Sequence, residues 1–353
     1  MTRQQLFEKR RQKKRRELKR KLFLFGIPAA IALAIILILV LVVLPGMKEK
    51  TADKTGAGTD QIETSDQDTA KTVPLNDISR GELGWNLDDK GWWYKTVDGA
   101  MYADGWMTLD DNRFYFDADG YILTGWNFVD GDNYVCFSES GIYQPDAVPK
   151  YVALTFDDGP SYDTDPILDV LEEYHSKATF FVVGSMADLD DTCRNALKRT
   201  YADGMEIGSH TWDHTTLSGA SAETIQEVMQ KNDDYIQSMI GFTPELMRPT
   251  GGGIDDTVRA TVTKPMILWN VDTLDWDTKD PQNTFKVATT DIEDGSIILM
   301  HDIYEETAEA VKLIVPELVK NGYRLVTVSQ LAEIKGVTLE VGQSYTDFTS
   351  SDS

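Results

Sequence analysis

The chain has 353 residues, 41% hydrophobic and 26% charged, which is enough for about two folded units and excludes a wholly disordered or fibrous protein. Its net charge of −24 is unevenly spread: residues 1–21 hold eleven basic and two acidic side chains, whereas residues 45–353 hold 23 basic and 56 acidic ones. A surface that negative repels phosphate backbones, so nucleic acid is excluded as a partner and a neutral or cationic substrate is expected.

Leu22 to Leu44 is a run of 23 uncharged, mostly apolar residues. As a helix it would span about 34 Å, enough to cross a hydrocarbon core of about 30 Å. The basic cluster that begins at Arg10 assigns residues 1–21 to the cytoplasm. No small-residue cleavage site follows in Leu44-Pro45-Gly46-Met47-Lys48, so the run reads as a retained anchor and not a signal peptide. The expectation is a single-pass cell-membrane protein with everything after residue 44 outside. Residues 45–80, rich in Thr, Asp, Gly and Lys without periodicity, are predicted to be a flexible linker.

Residues 81–147 repeat. Gly84-Trp85, Gly105-Trp106 and Gly125-Trp126 recur at spacings of 21 and 20, separated by aromatic runs and by Asp98-Gly99, Asp119-Gly120 and Asp130-Gly131. Aromatic alternation closed by Asp-Gly predicts stacked β-hairpins. The rings serve either as the core of a small solenoid or as open faces for sugars or choline. The units resemble the glucan- and choline-binding repeats of bacterial cell-wall proteins. Cys136 and Cys193 are too few for a disulfide scaffold; the sequence leaves their pairing open, and nothing near them marks a nucleophile.

From Tyr151 the texture becomes short apolar strands alternating with amphipathic stretches. Strands are predicted at Val152–Phe156, Ala178–Val183, Met205–Gly208, Leu246–Arg248, Met266–Val271, Ser296–Met300 and Arg324–Val328. Helices are predicted at Thr164–Tyr174, Ala222–Met239 and Glu306–Lys320. Such alternation reads as a parallel α/β domain able to close as a barrel.

The informative polar residues follow the strands: Asp157-Asp158 after the first, His210 and His214 after the third, Arg248 ending the fourth, Asp272 to Trp276 ending the fifth, His301-Asp302 ending the sixth. Strand C-terminal ends share one rim in an α/β barrel, so these groups would converge there. Taken singly each has a plain structural explanation: an Asx turn, two surface histidines, an ion-paired arginine, a core tryptophan. Three of the four histidines nonetheless fall on that rim; the fourth, His175, reads as a solvated helix-end residue.

Together the motifs resemble the polysaccharide deacetylase domain (NodB homology, carbohydrate esterase family 4), over residues 148–332. They are Thr155-Phe156-Asp157-Asp158-Gly159-Pro160, His210-Thr211-Trp212-Asp213-His214, Arg248-Pro249-Thr250-Gly251-Gly252, Asp272-Thr273-Leu274-Asp275-Trp276 and Leu299-Met300-His301. The resemblance implies a distorted (β/α) barrel over residues 148–335 and a hydrolase that removes acetyl groups from N-acetylated sugars. It implies metal ligands Asp158, His210 and His214, a general base Asp157 oriented by Arg248, and a proton donor His301 charged by Asp275, with Asp272 as the second candidate. Trp276 and Leu299 would line the acetyl pocket and a backbone N–H near Gly251 would meet the oxyanion. One carboxylate and two imidazoles suit Zn²⁺. The chain departs from the family pattern at Thr250-Gly251, where Pro-Tyr is usual. Topology and repeats favour peptidoglycan N-acetylglucosamine as substrate over chitin oligomers, O-acetyl xylan or exopolysaccharide; a wall-binding protein without catalysis is the rival class. Residues 336–353 carry no motif and are expected as a tail.

Overall fold

The computed structural model describes residues 71–73 and 82–349. The predicted cytoplasmic segment, the anchor at 22–44 and most of the linker lie outside the described residues, among which no helix is long and apolar enough to cross a membrane. Asp68–Ser353 form one compact unit. Within the stretch expected as linker, Lys71–Val73 pair antiparallel with Met101–Ala103.

The three repeats are hairpins, Gly84–Leu87 with Trp92–Lys95, Gly105–Leu109 with Asn112–Phe116, and Gly125–Val129 with Asn133–Phe137. Asp130-Gly131 closes the third hairpin as expected, both residues at positive φ (49° and 88°). The second hairpin closes on Asp110-Asp111, both at positive φ (49° and 64°), the backbone a tight hairpin turn demands. Asp98-Gly99 closes the antiparallel turn from Trp92–Lys95 into Met101–Ala103, and Asp119-Gly120 the turn to the Phe116–Ile122 bridge, with Gly99 and Gly120 donating to the carbonyls of Thr96 and Asp117. The rings form the packed interior: Trp93, Phe114, Phe116 and Phe137 are buried. Trp85 packs edge-on against Phe114 and Trp106 against Tyr143, contacts worth about 0.5–1.5 kcal/mol each beyond their burial.

The second part is a distorted α/β barrel. Its strands are β1 (Lys150–Asp157), β2 (Ala178–Val182), β3 (Glu206–Ser209), β4 (Met266–Ile267), β5 (Val271–Asp272), β6 (Ile297–His301), β7 (Tyr323–Leu325) and β8 (Ser344–Tyr345). All pairings are parallel, in the order β3-β2-β1-β6-β5, with β7 on the first three residues of β1. Met247 bridges Ser209 to Met266, and β4 continues to β8. Five consecutive residues of β1, Val152–Phe156, are fully buried, as a parallel strand covered on both faces requires. The principal helices are α1 (Thr164–Glu173), α2 (Asp191–Ala202), α3 (Ala222–Ile240), α4 (Pro281–Thr289), α5 (Glu305–Lys320) and α6 (Val328–Ile334). Capping is explicit in the sequence: Asp190 accepts from Thr192 and Cys193, Asp280 precedes Pro281, and Thr327 and Gln330 form a reciprocal box.

Three expectations need correction. Residues 336–349 are not a tail, because β8 joins the barrel and Phe348 is buried, with its N–H on Gly295. Leu246–Arg248 is a single-residue bridge at Met247 instead of a strand. His175 is not merely solvated: its Nδ1 pairs with Asp132 of the third hairpin at 2.8 Å. That hairpin docks on the amino-terminal ends of the strands, where the Tyr134 hydroxyl donates to the carbonyl of Val319 and Arg324 stacks over Phe128. Cys136 and Cys193 are both free thiols, and burial pushes the Cys193 thiol well above its usual range, which makes it inert.

Candidate active site

The strand ends deliver what the sequence promised of them. Asp157 and His301 are register partners on neighbouring strands β1 and β6, so a carboxylate and an imidazole stand side by side on the rim. Asp158 follows on a left-handed backbone (φ 76°), as do Thr211 (66°) and His214 (62°) beyond β3. Strain of this kind at non-glycine residues persists where surrounding structure holds it, and it concentrates at functional sites.

Asp158, His210 and His214 place one ligand atom each within 4.8 Å of one another. His214 Nε2 is 3.1 Å and His210 Nε2 3.6 Å from Asp158 Oδ1. A tetrahedral ion with bonds of about 2.0–2.1 Å sets its ligands about 3.4 Å apart, so the spacing fits. The tautomer fits as well. His210 Nδ1–H donates to the Arg248 carbonyl at 2.7 Å, which turns the Nε2 lone pair towards the carboxylates. An acceptor facing acceptors is relieved by a cation between them, and the outer hydrogen bond is the usual way a ligating imidazole is fixed.

Arg248 is fully buried and fully used. Nη1 donates to Asp157 Oδ1 and Thr155 Oγ1, both at 2.8 Å, Nε to the Ile267 carbonyl at 3.0 Å, and Nη2 to the Leu268 carbonyl at 2.8 Å. Its guanidinium lies over the rings of Phe181 (4.3 Å) and Trp269 (5.4 Å). The fork thus holds the Asp157 carboxylate in one fixed position through a charge-assisted hydrogen bond.

His301 has an equally complete partner. Asp275 accepts from His301 Nδ1 at 2.8 Å through Oδ1, and through Oδ2 from the His301 N–H (2.7 Å) and the Thr307 hydroxyl (2.6 Å). Burial pulls the imidazole down, but the hydrogen bond and charge of Asp275, with the charges of Asp158 and Asp157, carry it up to about 9. It is therefore an imidazolium near neutral pH, able to give a proton from Nε2. Asp272 is not its partner, because its carboxylate accepts from the Leu274 N–H.

The remaining predicted residues sit around this core. Leu299 is buried on β6, two positions before His301, and Trp276 follows Asp275 with 47% of its surface exposed. Gly251 is exposed at φ 66°, with open space where a Cβ would stand. Sequence reasoning missed Thr307 and the rings beneath Arg248, quoted Thr155 only as part of the first motif, and placed Asp302 on the rim without a role. The last is buried, receives the Thr164 hydroxyl at 2.5 Å, and packs so closely on Gly159 that a Cβ there would collide with it. Burial pushes its carboxyl up to about 7 despite the Thr164 bond. Thr155 and Asp302 each had a signal, the first inside its motif and the second at its strand end.

On the C-terminal rim of a parallel barrel stand together a buried arginine-bound carboxylate, a histidine-carboxylate cluster that could hold a metal ion, and a carboxylate-bound imidazolium. The chain belongs to the polysaccharide deacetylase family, whose sequence profile matches residues 144–265. It is 39% identical over 187 residues to the peptidoglycan-N-acetylmuramic acid deacetylase PdaC of Bacillus subtilis, covering 53% of this chain and 39% of that protein. It is 33% identical over 195 residues to a peptidoglycan-N-acetylglucosamine deacetylase of Bacillus cereus, covering 53% of this chain and 90% of that one. The match thus spans less than half of PdaC but nearly all of the Bacillus cereus protein. A solved structure of the T48 deacetylase with substrate superposes with a TM-score of 0.53 at 42% identity, covering 56% of this chain and 96% of that one.

Proposed function

We propose that the protein is a zinc-dependent deacetylase that hydrolyses the N-acetyl groups of peptidoglycan N-acetylglucosamine and releases acetate. The observation that carries this reading is the side-by-side placement of a base held by Arg248 and an acid held by Asp275, next to the Asp158–His210–His214 cluster. A metal bound there supplies Lewis acidity and lowers the pKa of water towards about 7. Asp157 accepts the proton of the attacking water, with Arg248 holding its carboxylate in position. The Gly251 N–H is the proposed donor to the oxyanion, and Leu299 and Trp276 border the acetyl group. His301 Nε2 protonates the departing amine, while Asp275 stabilises its charge. An amide needs this proton more than an ester does, which favours N-acetyl over O-acetyl substrates. The complete set of placed groups favours an enzyme over a purely wall-binding protein.

The anchor and its basic flank support a location at the cell membrane with the barrel outside, facing the wall. The relatives named above divide between N-acetylglucosamine and N-acetylmuramic acid, so substrate choice is the decisive test. Acetate release from peptidoglycan, chitin oligomers and acetylated xylan is measured in parallel, with the deacetylated sugar identified by mass spectrometry of the digest. Release from xylan alone, or from muramic acid alone, overturns the assignment.

A further inference from the structure

Asp302 directly follows β6 and its His301, yet it belongs neither to the metal cluster nor to the acid pair. Its side chain is buried and takes one hydrogen bond, from the Thr164 hydroxyl to Oδ2 at 2.5 Å. Among the described residues nothing hydrogen-bonds its Oδ1, which is buried as well. A carboxyl kept from water with one of its two oxygens unused costs free energy, and native structures keep few such groups without a reason.

Its neighbours supply the reason. The turn after β1 packs directly on this carboxyl: a Cβ on Gly159 would stand 2.1 Å from Oδ2 and 2.2 Å from Oδ1. The backbone at Gly159 is not left-handed, so it is the closeness of Asp302 that excludes a side chain there. The same turn is tied to Asp302 twice more. Ser161 Oγ donates to the Asp302 carbonyl at 2.6 Å, and Thr164 Oγ1, besides binding the carboxyl, accepts from the Ser161 N–H at 2.8 Å. On its other side Gly159 gives its carbonyl to the Val183 N–H at 3.0 Å. Asp158 therefore stands between Asp157, in register with His301, and a glycine seated on the residue after His301.

We infer that Asp302 is a positioning residue: its carboxyl is the seat on which the Asp158–Gly159 turn rests, and it fixes the ligand Asp158 relative to the acid His301. Asp302 is not one of the ligating groups and acts on them through the turn. Asp158 has a left-handed backbone (φ 76°), a conformation that persists only when surrounding structure enforces it. The seat provides that enforcement, and because it adjoins His301 in sequence, acid and ligand are spaced from one strand end. With the carboxyl removed, Gly159 has room to shift and the aim of the Asp158 carboxylate loosens.

The inference rests on the metal-centre reading, and the experiment tells the two apart. Zinc dissociation constants are measured on the full chain by competition with a chromophoric chelator, and the cobalt-loaded protein is followed by visible absorption. The variants are Asp302→Ala, Asp302→Asn, Gly159→Ala and, as a control, Gly322→Ala at the opposite end of β1. Asp302→Ala should weaken zinc about 10–100-fold, the usual cost of losing a group that orients a ligand, and move the cobalt bands. On a soluble N-acetylglucosamine tetramer kcat should fall while KM stays within about twofold. Asp302→Asn keeps the shape and an oxygen for Thr164, so its zinc affinity and kcat should stay within about threefold of wild type. Gly159→Ala should reproduce the loss with Asp302 intact, and it carries the test where Asp302→Ala does not fold. Gly322→Ala destabilises the barrel away from the rim and should leave zinc affinity within about twofold. Wild-type zinc affinity and cobalt bands in Asp302→Ala or Gly159→Ala overturn the inference, as does an equal loss in Asp302→Asn or Gly322→Ala. A wild type that holds no zinc refutes the metal centre and the seat with it. A wild type that holds zinc, weakens as described in the variants, yet releases no acetate from any glycan supports the seat and refutes the deacetylase reading instead.

Discussion

Replacing Asp275 by Asn keeps the size of the side chain and removes its charge, so it isolates what that charge does for His301. In the native protein the imidazole sits at about 9 because the Asp275 bond and charge, helped by Asp158 and Asp157, outweigh burial. Without Asp275 the largest upward pull is gone and burial opposes the charged form, so the imidazole falls towards the ordinary value of about 6.5. That fall is worth about 3 kcal/mol of lost preference for the imidazolium. At pH 7 the protonated fraction drops only about fourfold, and at pH 8 about thirtyfold. The assay is kcat/KM against pH on an N-acetyl oligomer. The alkaline limb should move from near pH 9 to near pH 6.5 or lower, with most activity recovered in acid as far as the base allows. The stability sign follows the same shift: a histidine raised in the folded state contributes fully below about pH 6.5 and loses its contribution as pH rises through about 9. A variant whose alkaline limb stays at the wild-type position, with metal and fold retained, refutes the role given to Asp275.

Asp158→Ala, His210→Ala and His214→Ala should each lower bound zinc and nearly abolish acetate release, as read by elemental analysis and acetate assay; undiminished metal in all three sinks the ligand set. His301→Ala should cost about 10²–10⁴-fold on an N-acetyl sugar but little on an activated aryl acetate, whereas Asp157→Asn should slow both, because both need an activated water. Arg248→Met leaves Asp157 buried without its partner and should cost about 3–5 kcal/mol in urea unfolding. Gly322→Ala combines a left-handed backbone (φ 85°) with a Cβ pressed on Trp126 and should cost about 1–3 kcal/mol, measured the same way.

The catalytic rim was legible because each of its groups follows an apolar run that could only be a strand, and β1, β2, β3 and β6 lie within a residue or two of their predicted places. The predicted strand Met266–Val271 splits into β4 and β5 where the Asn270 side chain takes the Ile297 N–H at 2.9 Å, a substitution of side chain for ladder that periodicity cannot show. The bridge at Met247 stays short because Arg248 spends its carbonyl on His210 and Pro249 has no N–H to give. Thr307 and the role of Asp302 were illegible for another reason. Each acts across more than 30 residues of chain through one hydrogen bond, and nothing local marks a threonine or aspartate as the far end of such a bond. The repeats were legible as hairpins, but whether their rings face inward or outward depends on what stacks upon them. Trp93 and Phe116 are buried while Trp92 remains 43% exposed.

Arg248 serves two masters from one α-carbon, with its side chain on Asp157 and its carbonyl on His210. Base and ligand are therefore surveyed from a common datum. Any drift of this segment carries both together, and their separation is unaffected. Directly beyond it, Gly251 and Gly252 (φ 66° and 72°) take the left-handed backbone that glycine adopts without strain. Arg248 acts as a bulkhead: a change of residue in the glycine stretch beyond it leaves the placing of Asp157 and His210 in calibration.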